Sequence, residues 1–461
     1  MYETLHGIGT HVAMVVGFLL AIILLAYTIR QKLPPATTLA WLLAIIFVPY
    51  VAVPLYIILG GRKSKRRARM KTDLSLATSH ETAGEPGPVQ RLLDAFNMPP
   101  AVSGNRLRLC DARTDGYEQL TDCIDRAKRT IHIETYIFEP DDIGRDILNR
   151  LARRAGQGVT VRLLLDAIGS HHMHDDHLRD LRNAGGSVGW FMPVLASVWH
   201  RRRVDLRNHR KIFVADDRFV VAGGANISAD YLGPKEDPRR WVDLSFGLEG
   251  PAAGVYAGIF RQDWRFATGE DIPVAAPAEP IGDDTLTQVV PSGPDVPDDA
   301  LYAALLTAAY EARERLWIVT PYFVPDESLV QAFTLASRRG VDVRLVVPAK
   351  PDQYLTTLAR RTYLRQLKDV GATVLLYQPR MLHAKAVLVD RDLAVIGSPN
   401  MDIRSLLLNY EAACFVYNRQ HIDELAEWIE QLFADCTDEL PDAGCVRRLI
   451  EDTARILSPL L

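Results

Sequence analysis

The chain has 461 residues, 48% of them apolar, and a formal net charge of −4. This length predicts two domains. The near-neutral net charge gives no overall reason to expect a nucleic-acid partner, because proteins that bind nucleic acid usually present a basic face. Its five cysteines are scattered and match neither a disulfide framework nor a paired metal-ligand spacing, which favours a reducing compartment for the soluble part.

The N-terminal segment is much more apolar than the rest. The runs from Val12 to Ile29 and from Leu39 to Leu59 are each long enough to cross a bilayer about 30 Å thick as a helix. A cleaved signal peptide is the alternative for the first run, but MYETLHG lacks a basic region and a second run follows. We therefore predict a membrane anchor over residues 1–71, with transmembrane helices at about 12–29 and 39–59.

A basic cluster, GGRKSKRRARMK, directly follows the second run, whereas the loop between the runs offers only Arg30 and Lys32. The positive-inside rule assigns the denser cluster, and everything after it, to the cytoplasmic side. The cluster is also suited to anionic headgroups, although a plain topology anchor explains it equally well.

Two polar stretches rich in Gly and Pro divide the remaining chain, at 72–104, where VQRLLDAF is a short helical patch, and at 268–300. They separate a first domain, 105–267, from a second, 301–461. Both alternate short apolar strands with amphipathic helices, which predicts an α/β fold in which each domain has a mixed, largely parallel sheet flanked by helices.

The two domains repeat each other. Tyr136 and Tyr322 lie 186 positions apart, whereas His209 and His383 lie 174 apart, so the first half carries 12 extra residues before its histidine. These extra residues form a basic loop, either an entrance for phosphate-bearing substrates or an ordinary solvated loop. Its arginines are Arg201, Arg202, Arg203 and Arg207.

One motif is written twice, as NHRKIFVADDRFVVAGGAN from Asn208 and as LHAKAVLVDRDLAVIGSPN from Leu382. On an extended strand, His209 and Lys211 leave the same face while Arg210 points the other way. An imidazole, an ammonium, backbone amides near glycine and a side-chain amide together suit a phosphoryl group. One copy alone would indicate a half-buried histidine, but two copies in matching positions predict a shared site.

The doubling fits phosphoryl transfer through a covalent intermediate, which needs a nucleophile and a proton donor on opposite sides of phosphorus. A pseudo-twofold axis would supply one histidine from each half. Each histidine also needs a carboxylate, and Asp243 and Glu411 occupy equivalent positions once the inserted GPKEDP is allowed for. The acids Asp216 and Asp390 lie in predicted hairpin turns, which favours a bracing role for them.

The paired HxKxxxxDxxxxxxGxxN motifs, the strands IETYIF and TPYFVPD and the run WLLAIIFVPYVAVPLYIILGGRK resemble bacterial cardiolipin synthases of the phospholipase D superfamily, over essentially the whole chain. The resemblance implies an inner-membrane enzyme with cytoplasmic catalytic domains. Its reaction would transfer a phosphatidyl group between two phosphatidylglycerol molecules through a phosphohistidine, releasing glycerol. Gly224 departs from the pattern, which usually has serine there, as at Ser398.

The resemblance also implies roles for individual residues, with no cofactor and no metal. The motif residues of the catalytic set are His209, Lys211, Asp216, His383, Lys385 and Asp390. Asn226, Ser398 and Asn400 would bind phosphate, and Asp243 and Glu411 would orient the histidines. The superfamily favours His209 as nucleophile and His383 as acid, which the sequence itself does not decide.

Two other functions and one metal site are alternatives to this assignment. A hydrolytic phosphodiesterase of the phospholipase D type shares every motif residue, and a non-enzymatic membrane scaffold is disfavoured because both motifs are intact. The histidine-rich stretch DAIGSHHMHDDH predicts a solvated loop rather than a metal site, because the second half has no histidine in the corresponding PAKPDQYL. Its candidate ligands are His171, His172, His174, Asp176 and His177.

Overall fold

A computed structural model of the chain describes residues 22–24, 26–28, 35–59, 85–111, 114–193, 206–274, 276, 278–282, 284–441 and 443–456. Two compact units are present, a smaller one with the N-terminal helices and a larger one with both repeated halves. The basic cluster at 62–71, Arg201, Arg202, Arg203 and most of the first predicted span lie outside the described residues.

The smaller unit contains helices α1 (Pro35–Phe47) and α2 (Pro49–Leu59). Their helical assignment is interrupted at Val48, before Pro49, because proline disfavours helical backbone in the preceding residue. The predicted span 39–59 is therefore divided between two helices. Within the described part of the chain, no helix has both the length and the apolar character needed to cross a membrane.

The larger unit is built on an array of fifteen hydrogen-bonded strands, with a separate two-stranded ribbon of β10 and β15. The first half contributes β1 (Val102–Asp111), β2 (Thr130–Thr135), β3 (Thr160–Asp166), β4 (Ser187–Phe191), β5 (Ile212–Ala215), β6 (Phe219–Gly223) and β7 (Leu244–Glu249). The second half contributes β8 (Thr285–Ser292), β9 (Arg315–Val319), β10 (Phe323–Val324), β11 (Asp342–Pro348), β12 (Thr373–Tyr377), β13 (Ala386–Val389), β14 (Leu393–Gly397), β15 (Met401–Asp402), β16 (Glu411–Val416) and β17 (Cys436–Thr437).

Helices cover both faces of this array. They are α3 (Pro88–Ala95), α4 (Thr114–Arg126), α5 (Asp142–Gly156), α6 (Asp175–Asn183), α7 (Pro251–Thr268), α8 (Ala300–Glu311), α9 (Glu327–Arg338), α10 (Tyr354–Asp369), α11 (Ile403–Leu407), α12 (Arg419–Phe433) and α13 (Cys445–Ile456). Helix α5 begins after Asp141 and α9 after Asp326, whose carboxylates accept hydrogen bonds from the amides of Gly144 and Leu329.

The strand order shows the repeat directly. It runs β17-β12-β11-β9-β13-β14-β16-β8-β1-β7-β6-β5-β2-β3-β4, so that, apart from the edge strand β17, it reads equivalently from either end. The antiparallel pair of β1 and β8 joins the halves at the centre. This is the order expected when two copies of one domain are related by a twofold axis between their central strands.

The sheet is mixed, as predicted, but the expectation that it would be largely parallel was wrong. Parallel pairing within the array is limited to β2, β3 and β4 and to their counterparts β9, β11 and β12. The remaining neighbours are antiparallel, because the motif hairpins β5–β6 and β13–β14 each add a return strand. Strand β8 lies inside the segment 268–300 that was predicted only as a linker.

A continuous apolar core spans both halves on one face of the sheet. It includes Val289 of the central strand β8, Ala257 of α7 and Leu425 of α12, all of them fully buried or nearly so. Burying apolar surface is the main favourable contribution to folding, so a core shared in this way holds the two halves in a fixed relation. Any site built from both halves is thereby preorganised.

Candidate active site

The two motif histidines are held by reciprocal backbone pairing between the halves. An isolated parallel bridge joins Asn208 to Tyr410, and an equivalent bridge joins Leu382 to Val242. The amide of each motif histidine donates to the carbonyl across its bridge, at 2.9 Å in the first half and 2.7 Å in the second. Each bridge therefore brings a motif histidine close to the acidic residue that follows its bridge partner in the opposite half.

This pairing assigns each histidine a carboxylate from the other half. Nδ1 of His209 lies 3.2 Å from Oε2 of Glu411, and Nδ1 of His383 lies 2.6 Å from Oδ2 of Asp243. The sequence identified both carboxylates but not this exchange between halves. A carboxylate at Nδ1 fixes the imidazole orientation and leaves Nε2 as the ring nitrogen for chemistry.

The two histidine–carboxylate pairs differ in their surroundings. The Ser398 hydroxyl donates to Oε2 of Glu411 at 2.5 Å and accepts from the amide of Ala412 at 3.1 Å. In the first half, a Cβ added at Gly224 would lie 2.1 Å from Oδ1 of Asp243. Glycine therefore replaces serine because the shorter aspartate occupies the space that a serine side chain would need.

Both motif lysines are almost completely buried, at 2% exposure for Lys211 and 3% for Lys385. Nζ of Lys211 donates to the carbonyl of His209 at 2.7 Å, and Nζ of Lys385 lies 2.7 Å from Nδ1 of His383. Burial lowers the pKa of Lys211 to about 7 and that of Lys385 to about 8, partly opposed by Glu411 and Asp243. The two lysines thus hold their positive charge only weakly near neutral pH.

Burial also determines the histidine charges. It lowers the pKa of His209, although Glu411 opposes the shift. Burial and Lys385 hold the pKa of His383 well below its ordinary value. The lowered pKa values favour the neutral imidazole in both halves.

The environment of the two imidazoles is unequal. His209 lines a cleft of about 150 Å³ together with Tyr136, Asn400 and Arg404, and 12% of its side chain is exposed. His383 is only 4% exposed and packs between Tyr231 and Trp241, with ring centroids 5.1 and 5.5 Å away. A ligand entering the cleft meets His209 more directly.

The predicted phosphate-binding amides have different roles. Oδ1 of Asn226 accepts from the amide of Ile137 at 3.2 Å, so this side chain supports the loop after β2. Asn400 lines the cleft and donates to the Ser405 hydroxyl at 3.1 Å, and its buried Oδ1 has no hydrogen-bond partner among the described residues. An amide at this position can also turn its NH₂ group toward a bound anion.

The carboxylates of the motif acids Asp216 and Asp390 bind backbone amides. They lie in the hairpin turns with positive φ, 54° and 49°, beyond the strands β5 and β13 that begin directly after the lysines. Each carboxylate accepts three backbone amides from the loop before a neighbouring strand, residues 128–130 for Asp216 and 313–315 for Asp390. These hydrogen bonds hold each turn against the neighbouring strand.

Two buried arginines that sequence reasoning did not assign to the site contribute to it: Arg210 braces it from behind, and Arg207 lines the cleft beside His209. Arg210 pairs with Asp263 at 2.5 Å and donates to the backbone carbonyl of Glu411 at 3.0 Å, so it braces the carboxylate strand of the other half. Arg207, predicted as part of the basic loop, is buried and binds Asp166 at 2.8 Å. For Arg210, the sequence signal that could have identified it is a charged residue within the apolar motif, on the strand face opposite His209 and Lys211.

The histidine-rich stretch is at the surface. His172 contacts Glu139 at 3.0 Å, and the rings of His171 and His172 are tilted by 46° with centroids 3.8 Å apart. Within the described ranges, no group of three or more His, Cys, Asp or Glu side chains is arranged to hold a metal ion.

The chain matches two family models. One, described as cardiolipin synthase, PLD-like domain, matches residues 120–264 and 305–433, and the other, described as phospholipase D-nuclease N-terminal, matches residues 19–61. The first model therefore matches both repeated halves.

Two relatives extend the match across the chain. Cardiolipin synthase A of Pseudomonas aeruginosa is 33% identical over 92% of this chain and 90% of its own length. Cardiolipin synthase 1 of Bacillus anthracis is 30% identical over 93% of this chain and 89% of its own. Among solved structures, phosphatidylserine synthase of Haemophilus influenzae Rd KW20 has a TM-score of 0.62 at 17% identity, covering 81% of this chain and 99% of that one, which is a likeness of fold.

The crowding at Gly224 predicts a large effect of Gly224→Ser. The new side chain would displace the carboxylate of Asp243 from His383, so we expect kcat to fall about 100-fold or more with folding retained by circular dichroism. Ser398→Gly removes a hydrogen bond without a clash and should cost about tenfold. Gly254→Ser, where a Cβ meets nothing within 4 Å, is the matched control and should leave turnover unchanged. Native turnover in Gly224→Ser would contradict the crowding.

The lysine pKa values predict the alkaline limb of the pH profile. Phosphate binding needs cationic lysines, so kcat/KM should fall as pH rises through about 7 for Lys211 and about 8 for Lys385. A bound anion raises both lysine pKa values, so kcat at saturating substrate should persist to higher pH. The two profiles are measured on one preparation, and a kcat/KM that keeps rising to about pH 9 would refute this role.

Proposed function

The chain belongs to the cardiolipin synthase family of phospholipase D-like proteins, and from that membership we propose that it joins two phosphatidylglycerol molecules into cardiolipin with release of glycerol. The single observation that carries the proposal is the pair of motif histidines, each oriented by a carboxylate of the opposite half. Two equivalent imidazoles at one site suit a reaction in which a phosphodiester is broken and made again by the same path.

In the first step, Nε2 of His209 forms a bond to phosphorus and the bond from phosphorus to the glycerol oxygen breaks. His383 supplies the proton that this leaving oxygen needs. In the second step, the glycerol hydroxyl of another phosphatidylglycerol gives its proton to His383 and attacks phosphorus, and the bond to His209 breaks. Protons and bonds balance over the cycle, which needs no cofactor.

The cleft position supports this order of roles. His209 lines the open cleft, where a phosphodiester can approach in line, whereas His383 is enclosed by aromatic rings. Lys211 and Lys385 supply the positive charge for the phosphate oxygens in a site from which most water is excluded. The substrate anion also raises the pKa of His383, which prepares it to act as an acid.

Membrane attachment through the N-terminal segment belongs to the same proposal. Apolar side chains of this segment are largely exposed within their own unit, as expected of a surface covered by lipid. Those more than half exposed are Ile23, Tyr27, Leu39, Ile46, Phe47, Val48, Tyr50 and Val51. The apolar runs and the basic cluster that follows them would hold the catalytic unit at the cytoplasmic face of the bacterial inner membrane, where its anionic lipid substrates are concentrated.

Trapping of the covalent intermediate tests the histidine roles. With phosphatidylglycerol labelled in its phosphate, His383→Ala should accumulate a phosphohistidine, because nucleophilic attack remains while proton delivery is lost. His209→Ala should accumulate none, and both variants should lose at least about 10³-fold in turnover. Label on the His209→Ala protein would reverse the assignment, and near-native turnover in either variant would overturn the shared site.

Product analysis tests the acceptor. Purified enzyme with phosphatidylglycerol as the sole lipid should yield one glycerol per cardiolipin and little phosphatidate, because the synthase must favour a lipid hydroxyl over water. Added glycerol should suppress net synthesis, since one phosphodiester is exchanged for another. Phosphatidate as the main product would instead identify a hydrolase that uses the same residues. Activity that survives a chelator is expected in either case.

A further inference from the structure

The first half carries a second cleft, of about 390 Å³, between α4 and the strands β1, β6 and β7. Its wall includes Arg106, Arg108, Gln119, Arg126, Arg218 and Gly247. None of its lining residues lines the cleft that contains His209. It adjoins Asp216, at the turn beyond β5, whereas the catalytic lysine precedes that strand, so the two clefts are separate.

The floor of this cleft is a buried amide without partners. Gln119 is 8% exposed, and neither its Oε1 nor its Nε2 has a hydrogen-bond partner among the described residues. A buried amide left in this way is unfavourable, so its retention needs an explanation. Its donor and acceptor together can satisfy a ligand that carries both an acceptor oxygen and a hydroxyl.

The rim of the cleft carries four arginines against three acids, Asp122, Asp216 and Glu249, and Arg126 is paired with Asp122 at 2.8 Å. Glu249 is shared between Arg106 at 3.6 Å and Arg218 at 3.2 Å, so one carboxylate faces two guanidinium groups. Arg108 is exposed on the same face of β1 as Arg106, two residues along the strand. Guanidinium groups bind phosphate by paired hydrogen bonds, which makes the rim suited to a phosphoryl group.

The second half shows that this cleft is not a requirement of the fold. By the repeat spacing, the counterpart of Gln119 is Leu305. On the central strands, Arg108 pairs with Gly247 in the first half, and Gln288 pairs with Phe415 at the equivalent position of the second half. There, the large apolar side chains fill the space.

Helix α3 and the chain after it cover the equivalent face in the second half. Leu93 belongs to one core with Leu305 and Phe415, and Nε2 of Gln288 donates to the carbonyl of Pro99 at 2.9 Å. The first half therefore has smaller, more polar and more basic side chains on a surface that is apolar and covered in the second half.

We propose that this second cleft binds a hydroxyl-bearing phosphate ester, with phosphate at the arginine rim and the hydroxyl at the amide of Gln119. A soluble glycerophosphate and the glycerophosphoryl headgroup of a lipid share this chemistry. The cleft volume exceeds that of either headgroup, and Gly247, in place of the twin's phenylalanine, keeps it open. The site lies apart from His209, so ligand there would act on the enzyme without entering the reaction.

The test measures binding of glycerol 1-phosphate to the full chain in detergent by calorimetry. Arg108→Gln and Gln119→Leu each introduce the residue found at the equivalent position of the second half. The fold therefore already accommodates both side chains at these positions. Each should weaken binding at this cleft about tenfold, the loss expected for a charge-assisted or buried hydrogen bond. Arg179→Gln, an exposed arginine on α6, makes the same charge change elsewhere and should bind like the native chain.

A second arm separates the two sources of the ligand. Calorimetric titration of the detergent-solubilised chain with a short-chain, soluble phosphatidylglycerol is compared for the native chain and Arg108→Gln. Weaker phosphatidylglycerol binding by the variant identifies a lipid headgroup, and weakening confined to glycerol 1-phosphate identifies a soluble ester. Native-like glycerol 1-phosphate binding by Arg108→Gln and Gln119→Leu alike, or no binding by the native chain at tens of millimolar, would overturn the proposal. The readout is binding, so failure of the proposed transferase activity would not affect it.

Discussion

The buried hydrogen bond between each motif histidine and a carboxylate of the opposite half is the constraint on which the site depends. Neither His209 nor His383 has its orienting carboxylate within its own half. A half on its own would bury a carboxylate beside no imidazole, and a buried charge that loses its partner costs several kcal/mol, about 3–5 where measured. The continuous core and the central strands β1 and β8 therefore serve chemistry as well as stability.

The two halves differ at the residues that orient the histidines, because the glutamate side chain of Glu411 is longer than the aspartate side chain of Asp243. Glu411 reaches its histidine and also accepts the hydroxyl of Ser398, whereas Asp243 fills the corresponding space itself and requires Gly224. The aspartate in place of glutamate therefore explains the glycine in place of serine. The outcome is two similar acid–base pairs with different exposure, which is what a reaction with one nucleophile and one proton carrier needs.

Much of this arrangement could be predicted from the sequence, because repetition made weak local signals strong. The hairpins and the residues Asp243 and Glu411 followed from matching the halves. The exchange of carboxylates did not, since it arises from the bridges Asn208–Tyr410 and Val242–Leu382, which join positions far apart in the chain. Strand β8 was missed because a single strand flanked by Gly and Pro has the composition of a linker, and its pairing with β16 decides its structure.

The electrostatics of the site show a consequence of burying these residues as a group. Burial lowers the pKa values of Lys211, Lys385 and both histidines together, so the free site avoids carrying several cations in a poorly solvated space. The negative charges of Glu411 and Asp243 partly offset the lysine shifts. A phosphodiester anion entering the cleft restores the charge of the lysines and favours protonation of His383. The substrate thus supplies the electrostatic condition for its own cleavage.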